Sequence, residues 1–175
     1  HIQLRYNDAF VPRQTHQLCL LSDEAAFWAK DRRPDDMMRA IAHSNPVVTA
    51  WDNHELIGFA RATSDGVFRA TIWDVVIHPD YQGIGLGRKL VETLITHPHM
   101  NKVERTYLMT THQQRFYERI GFEANGTTTM VLHNQPIDAD SLGAERLGAE
   151  RLGTERLGAE RLVETVDQRS FETSH

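Results

Sequence analysis

The run from Asp74 to Ile95 constrains the fold of this chain more than any other stretch. Val75, Val76 and Ile77 read as a buried strand, Pro79 as a turn, and Gly83, Gly85 and Gly87 as a loop spaced by glycine. Leu86, Leu90 and Leu94 then recur at i, i+4 and i+8, with Val91 and Ile95 beside them, which predicts an amphipathic helix ending at His97-Pro98. A strand that delivers a glycine-rich loop onto a helix N-terminus gathers free amides and the positive end of the helix dipole at one point. Residues 82–88 are therefore expected to hold a phosphate or pyrophosphate.

Two familiar phosphate loops fail at particular residues. A dinucleotide fingerprint has Gly-x-Gly-x-x-Gly, whereas here the third glycine position is Arg88 and Gly87 comes one residue early. A P-loop needs Gly-Lys-Ser/Thr, and Gly87-Arg88-Lys89-Leu90 offers no hydroxyl for magnesium. A bare turn that packs a helix is the third reading. It does not call for three glycines at alternate positions beside Gln82 and Arg88.

The rest of the chain surrounds this unit with strands. Ile2, Leu4 and Tyr6 alternate as a first strand, and Leu18, Leu21, Ala25 and Trp28 follow Pro12 at helical spacing. Cys19 lies in that helix as a small core residue. Met37, Met38 and Ile41 give a second, short helix an apolar side, with Asp35 expected to cap it. Val47–Trp51 and Glu55–Ala62 predict a hairpin turning at Asp52-Asn53, and a strand Arg69–Ile77 follows Ser64-Asp65-Gly66. Val103–Met109 reads as a strand, Gln113–Ile120 as a helix closed by Gly121, and Phe122 with Thr127–Leu132 as last strands. The expected class is α/β, a mixed sheet flanked by helices.

Composition excludes several functions. A formal charge of -5 argues against non-specific nucleic-acid binding. One cysteine excludes an internal disulfide, and no apolar run approaches the ~20 residues of a membrane span. His1–Tyr6 shows no signal-peptide pattern, and without an initiator Met the chain is read as truncated or processed. His97 and His99 suggest metal, but two histidines without further spaced ligands read as a loop, so no metal is expected. Residues 142–161 repeat Leu-Gly-Ala-Glu-Arg four times, with Thr154 for one Ala. A five-residue period advances ~140° per step, scattering the leucines around a helix, and each Gly disfavours helix by about 1 kcal/mol. The expected organisation is a domain over 1–135 and a frayed, charge-balanced tail over 136–175, with an interaction arm as the alternative.

Gln82-Gly-Ile-Gly-Leu-Gly87 resembles the Q/R-x-x-G-x-G/A loop of the GNAT superfamily of acetyl-CoA-dependent N-acetyltransferases. Val75–Gln82 is similar to that family's fourth strand and turn, and Phe116-Tyr-Glu-Arg-Ile-Gly-Phe122 to its later F-Y-x-x-x-G-F segment. Gly58–Asp65 and Ala70–Val75 further resemble the plant plastid and cyanobacterial group, which includes serotonin N-acetyltransferases and enzymes acetylating protein lysines and N-termini. The likeness covers roughly Trp28–Leu132. It implies a GNAT fold, a mostly antiparallel sheet splayed between the fourth and fifth strands. It also implies acetyl-CoA as co-substrate, a small-molecule or protein amine as acceptor, no nucleic-acid or membrane partner, and a cytoplasmic, cyanobacterial-like location. A homodimer stays open.

By the same resemblance Gln82, Gly83, Ile84, Gly85, Leu86, Gly87 and Arg88 hold the pyrophosphate, with glycines letting it approach the backbone. Val75, Val76 and Ile77 pair with the pantetheine arm as another strand would. Tyr117 stands at the general-acid position, and a phenol of pKa ~10 stays protonated at neutral pH. The alternative for Tyr117 is an aromatic core residue. The base is open. Thr71 and Trp73 share a face by alternation, stand where relatives place histidines or a glutamate, and are the candidate substrate residues. Asp74 is expected on the opposite face as an ion-paired or hydrogen-bonded structural carboxylate, with the base as the alternative. Thr110 replaces an Asn or Asp and can bond the cofactor but cannot act as a carboxylate base. Glu104 stands where the plant group has a polar amide, and His112 reads as a surface residue. A CoA-binding regulatory module without turnover is the rival reading.

Overall fold

A computed structural model of the chain describes residues 1–7 and 9–134. Five strands form one sheet in chain order: β1 (Ile2–Tyr6), β2 (Val47–Asp52), β3 (Glu55–Ser64), β4 (Arg69–Ile77) and β5 (Arg105–Tyr107). The first three junctions are antiparallel; β4 and β5 run parallel, joined through a crossover helix. The helices are α1 (Pro12–Ala25), α2 (Pro34–Ala42), α3 (Leu86–Thr96) and α4 (Gln114–Glu118). This is the mixed, mostly antiparallel α/β sheet expected. Among the described residues no helix is long and apolar enough to cross a membrane.

Alternation along the strands sends two sets of side chains to two faces. Val47, Trp51, Leu56, Phe59 and Val76 pack with Leu18 and Leu21 of α1 and Met37 and Ile41 of α2. Val48, Ala50, Ile57, Ala60 and Ile72 pack with Leu86, Leu90, Val91 and Leu94 of α3. Burial on both faces makes β2 and β3 central, with full burial of Val48, Ile57 and Phe59. Gly58 lets α3 sit close, since a Cβ there would stand 3.1 Å from Ala50 Cβ and 3.2 Å from Leu90 Cδ1.

The β3–β4 turn is held by one carboxylate. Asp65 Oδ1 accepts the N–H groups of Val67, Phe68 and Arg69 at 2.8, 2.6 and 3.0 Å. The Val67, Arg69 and Phe68 amides hold the Asp65 carboxyl below its ordinary range. A depressed folded-state value means the contribution is complete above about pH 4 and is lost as pH falls through the folded value. Asp65→Ala is therefore expected to lower the melting temperature by a few degrees at pH 7. The gap from the parent should close in acid, which melts across pH 7 to 2 would show.

Several local expectations are corrected. Trp28 does not continue α1; the helix ends at Ala25, and Phe27–Ala29 form a separate single turn with Trp28 52% exposed. Arg33, not Asp35, is the N-cap of α2, because Pro34 takes the first helical position and leaves Asp35 inside the first turn. β5 is shorter than Val103–Met109, and α4 shorter than Gln113–Ile120. Phe122 and Thr127–Leu132 adopt no strand. Met130, Val131 and Leu132 are 90, 74 and 83% exposed, so no burial offsets the entropy of ordering them. Residues 1–123 group as one compact unit, and the repeats at 142–161 lie outside the described residues.

Candidate active site

The sheet parts beside β4. β5 pairs with Arg69, Ala70 and Thr71 only, so β4 continues to Ile77 past the last β5 partner. Along this free stretch β4 also carries a bulge. Phe59 pairs with Val76 and Arg61 with Trp73, so Asp74 and Val75 together oppose Ala60. Asp74 takes a left-handed φ of 53°. The extra residue breaks the alternation and corrects the expected orientation of Asp74. Its carboxylate lies on the same face as Trp73, where Oδ2 accepts from Arg61 Nε at 2.7 Å and Arg32 Nη1 at 3.0 Å. It is a structural ion-paired carboxylate, as expected, reached by a different path.

Beyond the bulge, His78 N–H bonds to Ile57 O, so alternation turns the backbone of Val76 toward β3 and that of Val75 and Ile77 outward. The Ile77 carbonyl confirms this, because it accepts from Gln82 Nε2 at 3.1 Å. That bond fastens the loop to the strand end. Gly83 and Gly85 adopt φ of 79° and 84°, and nothing lies within 4 Å of a Cβ built on either. Gly85 is the N-cap of α3, and the first amide to bond back is Lys89 N–H, to Gly85 O at 3.2 Å. The amides before it on the first turn have no intrahelical acceptor. No acidic residue stands in that turn. Ile84 is 62% exposed and Leu86 is buried. Arg88 is exposed, and its Nε bonds Glu92 Oε1 at 2.6 Å.

Gly87 plays a different part from its neighbours. It lies inside α3, and a Cβ there would stand 3.3 Å from Phe116 Cζ and 3.7 Å from Ile77 Cγ1. Its missing side chain seats α4 against the junction of β4 and α3. Next to Phe116 on α4, the Tyr117 ring packs edge-on against Phe116 and Phe122, with centroids 4.9 and 5.9 Å away. Burial raises the Tyr117 phenol above its ordinary value. Thr110 Oγ1 accepts the Gln113 N–H at 3.1 Å at the approach to α4.

The remaining candidates are distributed as follows. Thr71 sits where β5 ends, between Thr63 and Tyr107. Trp73 donates from Nε1 to Thr63 Oγ1 at 2.9 Å, and the Arg61 guanidinium lies 6.0 Å from the centre of its ring. Glu104 is engaged by Arg69 at 2.7 Å, and this hydrogen bond lowers its carboxyl. His112 is exposed. His99 N–H donates to His97 Nδ1, and His99 Nε2 lies 2.9 Å from Ser64 O, so both rings are used locally. Sequence reading missed the bulge, and with it which guanidiniums, Arg61 and Arg32, pair with Asp74. The signal for it was the carboxylate set between Trp73 and Val75, in the apolar half of β4.

A sheet split beside β4, a loop of open glycines at the strand end and the Tyr117 phenol on the helix that packs on Gly87 thus lie at one end of the sheet. The chain belongs to the acetyltransferase (GNAT) family, whose model matches residues 15–122. It is 37% identical over 115 residues to the uncharacterized N-acetyltransferase ycf52 of Porphyra purpurea, across 62% of this chain and 63% of that protein. Over 69 residues it is 44% identical to the chloroplastic serotonin N-acetyltransferase 2 of Oryza sativa subsp. japonica, across 37% of this chain and 34% of that one. The chain thus spans less than two thirds of either relative. A solved GNAT family acetyltransferase from Streptococcus pneumoniae TIGR4 superposes with a TM-score of 0.65 at 20% identity. That match covers 78% of this chain and 100% of that one and bears on the fold. Relatives include chloroplastic and cyanobacterial proteins.

Proposed function

We propose that the protein moves acetyl from acetyl-CoA to a primary amine by direct attack. The observation that carries this reading is the joint at the end of β4. There the outward backbone of Val75 and Ile77, the open glycines Gly83 and Gly85, and the free first-turn amides of α3 adjoin one another. The loop fits a pyrophosphate, because bare Cα atoms and unshared N–H groups face open space with no carboxylate in the turn. Gln82 fixes the loop, the backbone of Ile84, Leu86, Gly87 and Arg88 completes the turn, and Arg88 adds positive charge. Val75 and Ile77 hold the pantetheine arm as a strand edge would, while Val76 anchors that edge to β3. Thr110 shapes the approach to α4.

In this reading the amine lone pair attacks the thioester carbon, the tetrahedral intermediate collapses, and the C–S bond breaks. Tyr117 gives its phenolic proton to the departing sulfur. Neither Thr71 nor Trp73 is a base, and Asp74 is engaged by two guanidiniums. The amine then loses its proton to a water chain or directly to solvent, and Thr71 and Trp73 contribute shape to the acceptor side. Family membership supports the chemistry, while the acceptor stays between an arylalkylamine such as serotonin and a protein lysine or N-terminus. Free-thiol release with serotonin, a polyamine and a lysine peptide separates these. Thiol release with serotonin alone supports the small-amine reading, and release with the peptide alone supports protein acetylation. Tight acetyl-CoA binding without release for any of them establishes the regulatory CoA-binding module instead.

A further inference from the structure

Asp74 combines three features rarely found at one strand position. It is the bulged residue of β4, its φ of 53° is left-handed without being glycine, and its side chain is only 9% exposed. A carboxylate so removed from water requires compensating charge. It has two guanidiniums from different layers. Arg61 belongs to β3, is 16% exposed, and also reaches Ser44 Oγ at 3.2 Å. Arg32 belongs to the α1–α2 connection and is 37% exposed. The residue before Arg32 is held as well: Asp31 takes a φ of 61°, and its N–H donates to Asp23 Oδ1 at 3.2 Å. Four and five residues ahead of Arg32, the same connection presents Trp28 and Phe27, 52 and 67% exposed, with rings edge-to-face at 5.1 Å.

One carboxylate oxygen is thus shared by the strand that offers its outward backbone to the acyl-CoA arm and by the segment that carries two uncovered aromatic rings. Displacing the connection pulls on the bulge, and flattening the bulge would re-aim Val75 and Ile77 by one residue. We propose that Asp74 is a positioning residue that ties the α1–α2 connection to the β4 bulge, so that the acceptor amine and the thioester are held in one register. This rests on the acetyl-transfer reading above. Arg32 is the half of the tie on the α1–α2 connection, and Arg61 is the half on β3.

Because the two halves differ, the test can separate them. Wild type, Arg32→Gln, Arg32→Lys and Asp74→Asn are compared by calorimetric titration with acetyl-CoA and by thiol release, using whichever amine the wild type turns over fastest. Arg32→Gln leaves Asp74 paired to Arg61, so its melting temperature should hardly move, as for other exposed ion pairs. Its KM for the amine is expected to rise about tenfold while the acetyl-CoA Kd stays within about twofold, a misplacement effect of the expected size. Arg32→Lys should recover most of the loss. Asp74→Asn tolerates the left-handed backbone but loses both pairs, and is expected to lower kcat/KM by about 10²-fold and to weaken acetyl-CoA as well. Wild-type protein that binds no acetyl-CoA, or binds it and turns over no amine, overturns the transferase reading and the tie together. Wild-type turnover with an unchanged amine KM in Arg32→Gln overturns the tie alone.

Discussion

Tyr117→Phe is expected to lower turnover at saturating acetyl-CoA by about 10²–10⁴-fold while leaving the cofactor Kd within about twofold. The aromatic contacts with Phe116 and Phe122 survive the change, so the fold should be retained. On the proposed mechanism, what is lost is one proton donor where charge leaves with sulfur. Burial raises the phenol, which keeps it protonated through and beyond the ordinary tyrosine range of about 10. An alkaline limb of the kcat profile that belongs to this group must therefore lie above that value. The stability linkage has the matching sign: a raised folded-state value favours the fold below about pH 10, and that contribution is lost as pH rises through the folded value. Single-turnover thiol release across pH would check both points. A variant with full turnover removes Tyr117 from the chemistry and leaves it a core aromatic.

Gly85→Val tests the other end of the cofactor. A branched residue at φ 84° is strained whatever the space around it, at a cost of about 1–2 kcal/mol. Because no neighbouring atom lies within 4 Å of the new Cβ, the change should distort the loop without dislodging α3. Leu86, Leu90 and Leu94 remain buried beneath it. Added strain and a side chain over the amides should raise the acetyl-CoA Kd by about tenfold or more, since 1.4 kcal/mol is one decade. Calorimetric titration beside a circular-dichroism spectrum would show the loss in a folded protein. An unchanged Kd would place the pyrophosphate elsewhere.

Much of this architecture is legible where local chemistry and tertiary burial agree. Asn53 and Gly66 supply positive φ at the two hairpin turns, and β4 runs Arg69–Ile77 as its apolar pattern indicates. The helix after the glycines follows its leucine stripe. The misreadings arise where a partner decides the outcome. Met130, Val131 and Leu132 look strand-like but stand exposed, and Trp28 continues a helical spacing that Ala25 ends. The site shows the same division. Gly83 and Gly85 declare their backbone in the sequence, whereas Gly87 looks like a third loop glycine and is a packing position under Phe116. The orientation of Asp74 could not be read from alternation, because a one-residue bulge reverses side-chain parity and is set by Arg61 and Arg32 across the fold.

The three-residue pairing of β5 has a consequence for the protein without its ligand. Past Thr71, β4 presents an edge that β5 does not cover, in a segment rich in Val and Ile. Such an edge is a template for intermolecular strand addition. On the proposed reading, the arm of the co-substrate is also a removable sixth strand, closing against the cell's other chains what β5 leaves ajar. Occupancy stabilises the folded state as RT ln(1 + [L]/Kd), so heat resistance and resistance to self-association should rise together with CoA concentration.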